Sequence, residues 1–137
     1  MRKLLSLIRA DRGAAAIEMA IVVPVLVVFL WGIFQVGIAF QANAGMQHAL
    51  GEGARLATIC QNPTADGICS TASNEVIEAK INEKVFGTGV GEFEVDDVVD
   101  GADYKDLSVT FSMPTNFLLF EGPEINLTRT KRVYVAS

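Results

Sequence analysis

Between Gly13 and Phe40 the chain reads GAAAIEMAIVVPVLVVFLWGIFQVGIAF, and Met19 to Phe34 runs without one charged or strongly polar side chain. A helix needs about 20 apolar residues to cross the hydrocarbon core of a bilayer. Glu18 stands just before the run, Gln35 interrupts it, and Val36 to Phe40 is apolar again except for Gly37. This stretch is expected to be helical and to span a membrane over about residues 17–40.

The charge is divided around that segment. The 137 residues carry a net charge of −5. Residues 1–12 hold Arg2, Lys3, Arg9 and Arg12 against Asp11, which is +3, and the remainder holds 7 basic against 15 acidic side chains, which is −8. A basic leader before an apolar helix keeps the N-terminus on the cytoplasmic side and sends the acidic part across. Some 95 residues beyond residue 40 suffice for one small domain. Its acidity argues against nucleic acid, because it would repel the phosphate backbone.

The leader, residues 1–13, ends at a glycine, and the long helix is placed at 14–59. Pro24 lies within it, as membrane helices tolerate. Leu4, Leu5, Leu7 and Ile8 of the leader could form an amphipathic turn at the inner surface. Helical periodicity continues past Phe40 through Met46, Leu50 and Ala57. Gly45, Ala49, Gly53 and Ala57, four apart, put small residues on one face, where another backbone can approach closely. That face packs either on the domain's own sheet or also on a partner. Such a helix would be roughly 70 Å long, half in the membrane and half projecting.

Cys60 and Cys69 bracket CQNPTADGIC, a loop-like stretch. In an exported domain the pair reads as one disulfide, contributing ~2–3 kcal/mol. Two thiols without a nearby histidine are half a zinc site. Residues 73–86 read as an amphipathic helix with Val76, Ile77, Ile81 and Val85 on its apolar face and Gly87 as C-cap. Gly87, Gly89 and Gly91 then form a flexible joint. Phe93, Val95 and Val98-Val99 are assigned to one strand, Leu107, Val109, Phe111 and Met113 alternate with polar residues, and a last strand runs over 125–135. Phe117-Leu118-Leu119-Phe120 is a short apolar segment between turns. The expected class is α+β: a long N-terminal helix packed on a small antiparallel sheet of three or four strands with one additional short helix, the outer domain being 60–137.

Little in the chain can do covalent chemistry. His48 is the single histidine and reads as an ordinary helix residue. No nucleophilic triad, phosphate loop or HExxH is present, so no catalytic residue, metal or cofactor is assigned. The acidic group Asp96, Asp97, Asp100, Asp103 and Asp106 lacks the ligand spacing of a calcium loop and reads as a solvated edge that opposes strand aggregation. Glu18 carries the most meaning. A carboxylate in a membrane helix costs about 3 kcal/mol if central. In a whole chain it can sit at the interface. If the chain is cut after Gly13, Ala14 bears a free amine and Glu18 lies about one turn inside the new end, where burial demands a positive partner such as a neighbouring subunit's amine.

The basic leader ending in Gly13, followed by Ala14-Ala15-Ala16-Ile17-Glu18 and an apolar helix, resembles a type IV prepilin processing site. The Arg-Gly-x-x-x-x-Glu opening, Pro24 and Glu52-Gly53-Ala54-Arg55 are similar to the TadE-like pseudopilins of the tight-adherence (Tad/Flp) pilus, over about residues 11–60. The resemblance implies a pilin-like α+β fold and cleavage between Gly13 and Ala14 by a membrane prepilin peptidase. It implies recruitment into a filament through Glu18, with other pilin or pseudopilin subunits and the Tad secretion platform as partners. It places the chain in a bacterial inner membrane with the C-terminal domain periplasmic, and leaves open whether the subunit enters an extracellular pilus. Where this family often has an aromatic residue after the glutamate, this chain has Met19. The outer domain is larger than in major Flp pilins, which implies a minor, structural, non-enzymatic subunit that caps, initiates or primes. The alternatives are a permanently anchored single-span protein whose outer domain binds a ligand or partner, and a secreted protein cut after Ala42-Asn43-Ala44.

Overall fold

The computed structural model describes the backbone of residues 2–60, 62–63, 69–117 and 120–135, and the side chains of 13–60, 71–117 and 120–135. Helix α1 runs over Arg2–Thr58. It does not begin at Ala14, because Gly13 does not break it. One interior glycine costs about 1 kcal/mol relative to alanine, too little to end a helix flanked by good helix formers. The leader's own side chains, and its expected amphipathic turn, lie outside the described residues. Pro24 sits inside α1. The helix closes with Arg55 in its last turn, a cation beside the negative end of the helix dipole. Thr58 Oγ1 donates to the Arg55 carbonyl at 3.0 Å.

Two short strands follow, β1 (Asn62–Pro63) and β2 (Cys69–Ser70), paired antiparallel. Helix α2 spans Asn74–Lys84. Its first turn is closed by the Ser73 carbonyl, which accepts from the Val76 and Ile77 amides at 3.1 Å. The C-cap is Val85 in an extended conformation, its N–H bonded to the Ile81 carbonyl, and not Gly87. Ile77 and Ile81, one turn apart, are fully buried, whereas Val76 is 49% exposed. Val76 belongs to the solvent side because it is turned about 100° from Ile77.

The remaining strands are β3 (Glu92–Val95), β4 (Val99–Asp100), β5 (Tyr104–Met113), β6 (Asn116–Phe117), β7 (Phe120–Glu121) and β8 (Ile125–Tyr134). β5 is the centre of a four-stranded antiparallel sheet: β8 pairs along its whole length on one side, β3 and β4 end to end on the other. The expected single strand through Val99 is therefore interrupted. Val95 lies opposite Val109 and Val99 opposite Asp106, so residues 96–98 face only Leu107 and Ser108. The extra residue is a β-bulge, and it shifts the inward parity from Phe93 and Val95 to Val98. Val98 is buried, and its amide donates to Glu78 Oε1 of α2 at 2.8 Å.

The sheet is two-faced. Leu107, Val109, Phe111 and Met113 point inward, each at most 1% exposed. They pack with Ala42, Met46, Ala49 and Leu50 of α1 and with Ile77 and Ile81 of α2. The other face is polar, with hydroxyl pairs Ser108–Thr130 (2.9 Å) and Thr110–Thr128 (3.0 Å). An antiparallel sheet with one covered face takes this alternation. Gly91 turns the chain into β3 at φ +88°, with the Phe111 ring where a side chain would stand, so the glycine run is a packed corner and not merely a joint.

Candidate processing site and helix surfaces

α1 changes character at Gln35. From Gly13 to Phe34 no residue is buried, and apolar side chains stand out on all sides, among them Ile17 (66% exposed) and Phe29 (63%). From Gln35 onward burial recurs at 38, 42, 45, 46, 49, 50, 53, 54 and 57, one stripe of a helix. Among the described residues, Gly13–Thr58 is the one helix segment long and apolar enough to cross a membrane, with a mean hydropathy of 2.5 over 18 of its residues. The second half is the spine on which the folded domain is built.

Gly13, Ala14 and Glu18 lie within the bare stretch before Gln35. A Cβ added at Gly13 would meet nothing within 4 Å, and Ala14 and Glu18 are exposed. Ala14 and Glu18 are four apart, so they share a helix face about 6 Å apart along the axis. Among the described residues Glu18 has no hydrogen-bond or ion-pair partner. The site is thus open and unpartnered within the described chain. The helix is intact across the Gly13–Ala14 bond.

The small-residue stripe faces inward. Gly45, Ala49, Gly53 and Ala57 are all buried. Their neighbours include α2 and the segment after it as well as the sheet: a Cβ at Gly53 would press on Ile81 and one at Gly45 would overlap the Phe86 backbone. This face is covered by the chain itself and is not open to a second molecule. The face of α1 that stays open beside β8 carries Val36, Ala39 and Phe40, which form a shallow apolar groove with Ile125 and Leu127. Arg129 closes its upper end, its Nε donating to Asn43 Oδ1 at 2.6 Å.

Cys60 follows the last turn of α1, and the β1–β2 ladder draws the two ends of the loop together. The side chain of Cys69 lies outside the described residues. His48 is exposed and meets the Phe86 ring edge-on at 5.8 Å. The acidic group is dispersed among cations rather than gathered. Asp106 takes both Nε and Nη2 of Arg132, at 2.8 and 2.7 Å, and Arg132 also lies 4.0 Å over the Tyr104 ring. Asp100 takes Lys105 Nζ at 2.5 Å and Asn74 Nδ2 at 2.6 Å. The Arg132 hydrogen bond holds the Asp106 carboxyl below its ordinary range, and Lys105, then Asn74, do the same for Asp100. No group of three metal-binding side chains occurs among the described residues.

One contact was not expected from the sequence. The β6–β7 hairpin reaches back onto α1, 81–85 residues earlier in the chain. The Asn116 carbonyl accepts from both Trp31 Nε1 (2.6 Å) and Gln35 Nε2 (2.7 Å). Gln35 is 8% exposed. Its signal in the sequence is the lone amide ending an apolar run, since a polar group buried there needs a partner.

Residues 13–55, just under a third of the chain, match the family described as TadE-like protein. No curated protein and no solved structure matches.

Proposed function

From a chain whose residues 13–55 match the TadE-like family, we propose that it is a minor pseudopilin of a Tad-type pilus, a structural subunit and not an enzyme. The observation that carries this reading is the division of α1 at Gln35. Below it, over residues 13–34, which include Gly13, Ala14 and Glu18, α1 is bare on every side; above it, the same helix is built into a folded domain.

The mechanism follows from charge and covalent chemistry. The basic leader holds the N-terminus in the cytoplasm. A prepilin peptidase adds water across the Gly13–Ala14 bond, leaving a carboxylate on Gly13 and an amine on Ala14. Loss of residues 1–13 removes four cations and one anion and bares the helix end. Glu18 then pairs with the Ala14 amine of a neighbouring subunit, which offsets the cost of holding a carboxylate in lipid. The bare helices pack together, and the outer domain, tied by the Cys60–Cys69 bridge, is displayed in the periplasm at the filament's tip or base.

Glu18→Ala tests the pairing. The variant is expected to be made, inserted and cleaved as before, while pili per cell fall steeply in a strain carrying only this form. Normal pilus numbers in that strain would refute the role given to Glu18.

A further inference from the structure

The turn Trp31 to Gln35 belongs to the apolar run, yet it holds a piece of the outer domain. Phe117 of the hairpin lies against this turn, its ring 3.7 Å from where a Cβ on Gly32 would be. Phe117 and Phe120 stack at 4.8 Å, and Phe120 is 58% exposed. At the same level of α1, Leu30, Ile33 and Phe34 are each more than half exposed. The hairpin is graded along its length: the pair Asn116–Glu121 is polar, and the next pair, Phe117–Phe120, is aromatic.

Several of its described polar groups are satisfied within the chain. The Asn116 carbonyl takes two donors, the Gly122 amide donates to the Thr115 carbonyl at 2.7 Å, and Thr115 Oγ1 donates to the Pro123 carbonyl at 2.5 Å. Such closure is what a low-dielectric medium demands of non-helical backbone. Counted from Ala14 at 1.5 Å per residue, Trp31 stands about 25 Å and Gln35 about 31 Å along the axis, against a hydrocarbon core of about 30 Å.

We propose that the β6–β7 hairpin is a lipid-contacting element that sets the depth of α1. Phe117 and Phe120 enter the leaflet on the domain's side beside Trp31 and Phe34, as an aromatic belt. Glu121 stays at the headgroups. The hydrocarbon span then ends near Gln35, and Phe40 stands outside it. The occupant of the aromatic surface is acyl chain, because the helix turn it joins is itself bare and apolar. This inference rests on α1 spanning the bilayer.

Trp31 is the single tryptophan of the chain, which makes the test direct. The full chain is reconstituted in phosphatidylethanolamine–phosphatidylglycerol vesicles containing acyl-brominated lipid, alongside the double variant Trp31→Phe/Phe120→Trp. In both proteins the indole is expected to lose most of its emission to bromine and little to aqueous acrylamide. Phe120→Trp alone, which keeps the Trp31 bond to Asn116, should show both indoles quenched. If bromine reaches Trp31 but not residue 120, the hairpin proposal is overturned while the span stands, whether acrylamide finds the site wet or a second copy covers it. If bromine reaches neither, the spanning reading falls and the hairpin proposal with it.

Discussion

The backbone of Phe86 passes so close to Gly45 that a Cβ on Gly45 would overlap its carbonyl. The obstacle is main chain, so no rotamer change relieves it. Gly51, on the same helix, has nothing within 4 Å of that position. The two glycines therefore respond oppositely to the same substitution. Gly45→Ala forces α1 and the chain after α2 apart and is expected to cost about 2 to 3 kcal/mol. Gly51→Ala removes only the helix penalty of glycine and should stabilise by about 0.5 to 1 kcal/mol. Thermal melts of the two variants in detergent check both signs.

Acid sensitivity follows from three surface carboxylates, of which Glu83 and Asp100 are exposed and Asp106 half-buried. Lys84, then Lys80, hold Glu83 down from its ordinary 4.5 to about 2. Asp100 and Asp106 lie below their ordinary 3.8 for the reasons given above. A carboxyl lowered in the folded state binds fewer protons than in the unfolded chain. Its contribution is complete above the unfolded value and is lost as pH falls through the folded one. Melting temperature should therefore fall between about pH 4.5 and pH 2. Because these pairs lie at the surface, the slope should be shallow and should flatten further in high salt. Asp106→Asn should remove part of the slope, and melts against pH at two salt concentrations measure it.

The bulge in the edge strand depends on α2. Glu78 Oε1 is the acceptor for the Val98 amide. Glu78→Ala leaves that amide without its partner and should cost about 1 to 2 kcal/mol. Hydrogen exchange at Val98 should quicken more than at Val109, which sits in the middle of β5.

The proposed Cys60–Cys69 bridge would close the loop between α1 and α2. The unreduced chain should then be lighter by two hydrogens and should expose no thiol to alkylating reagent when unfolded. Reduction should lower stability by about 2 to 3 kcal/mol. Two alkylated cysteines in the unreduced, unfolded protein would remove the bridge from the account.

What the sequence showed was local in origin. The period of two in Leu107, Val109, Phe111 and Met113 named the inward face of β5, because a half-buried strand can be patterned no other way. The small residues from Gly45 to Ala57 marked the face of close approach but not what approached. That depended on α2, docked through Ile77 and Ile81. Gly87 was a poor guide to the end of α2, since Val85 leaves the helix as an extended residue. The bulge at 96–98 was hidden because a parity shift looks, in sequence, like a ragged strand. The seat of Asn116 on Trp31 and Gln35 joins residues more than 80 apart, and only Gln35 hinted at it.

The central claim is that Gly13–Ala14 is cut and that Glu18 thereby becomes a residue of subunit pairing. The most direct measurement is the intact mass, with N-terminal sequencing, of the protein extracted from native membranes. The account predicts a chain beginning at Ala14. A chain beginning at Met1 would contradict it, leaving α1 a plain anchor and Glu18 a residue of the membrane interface.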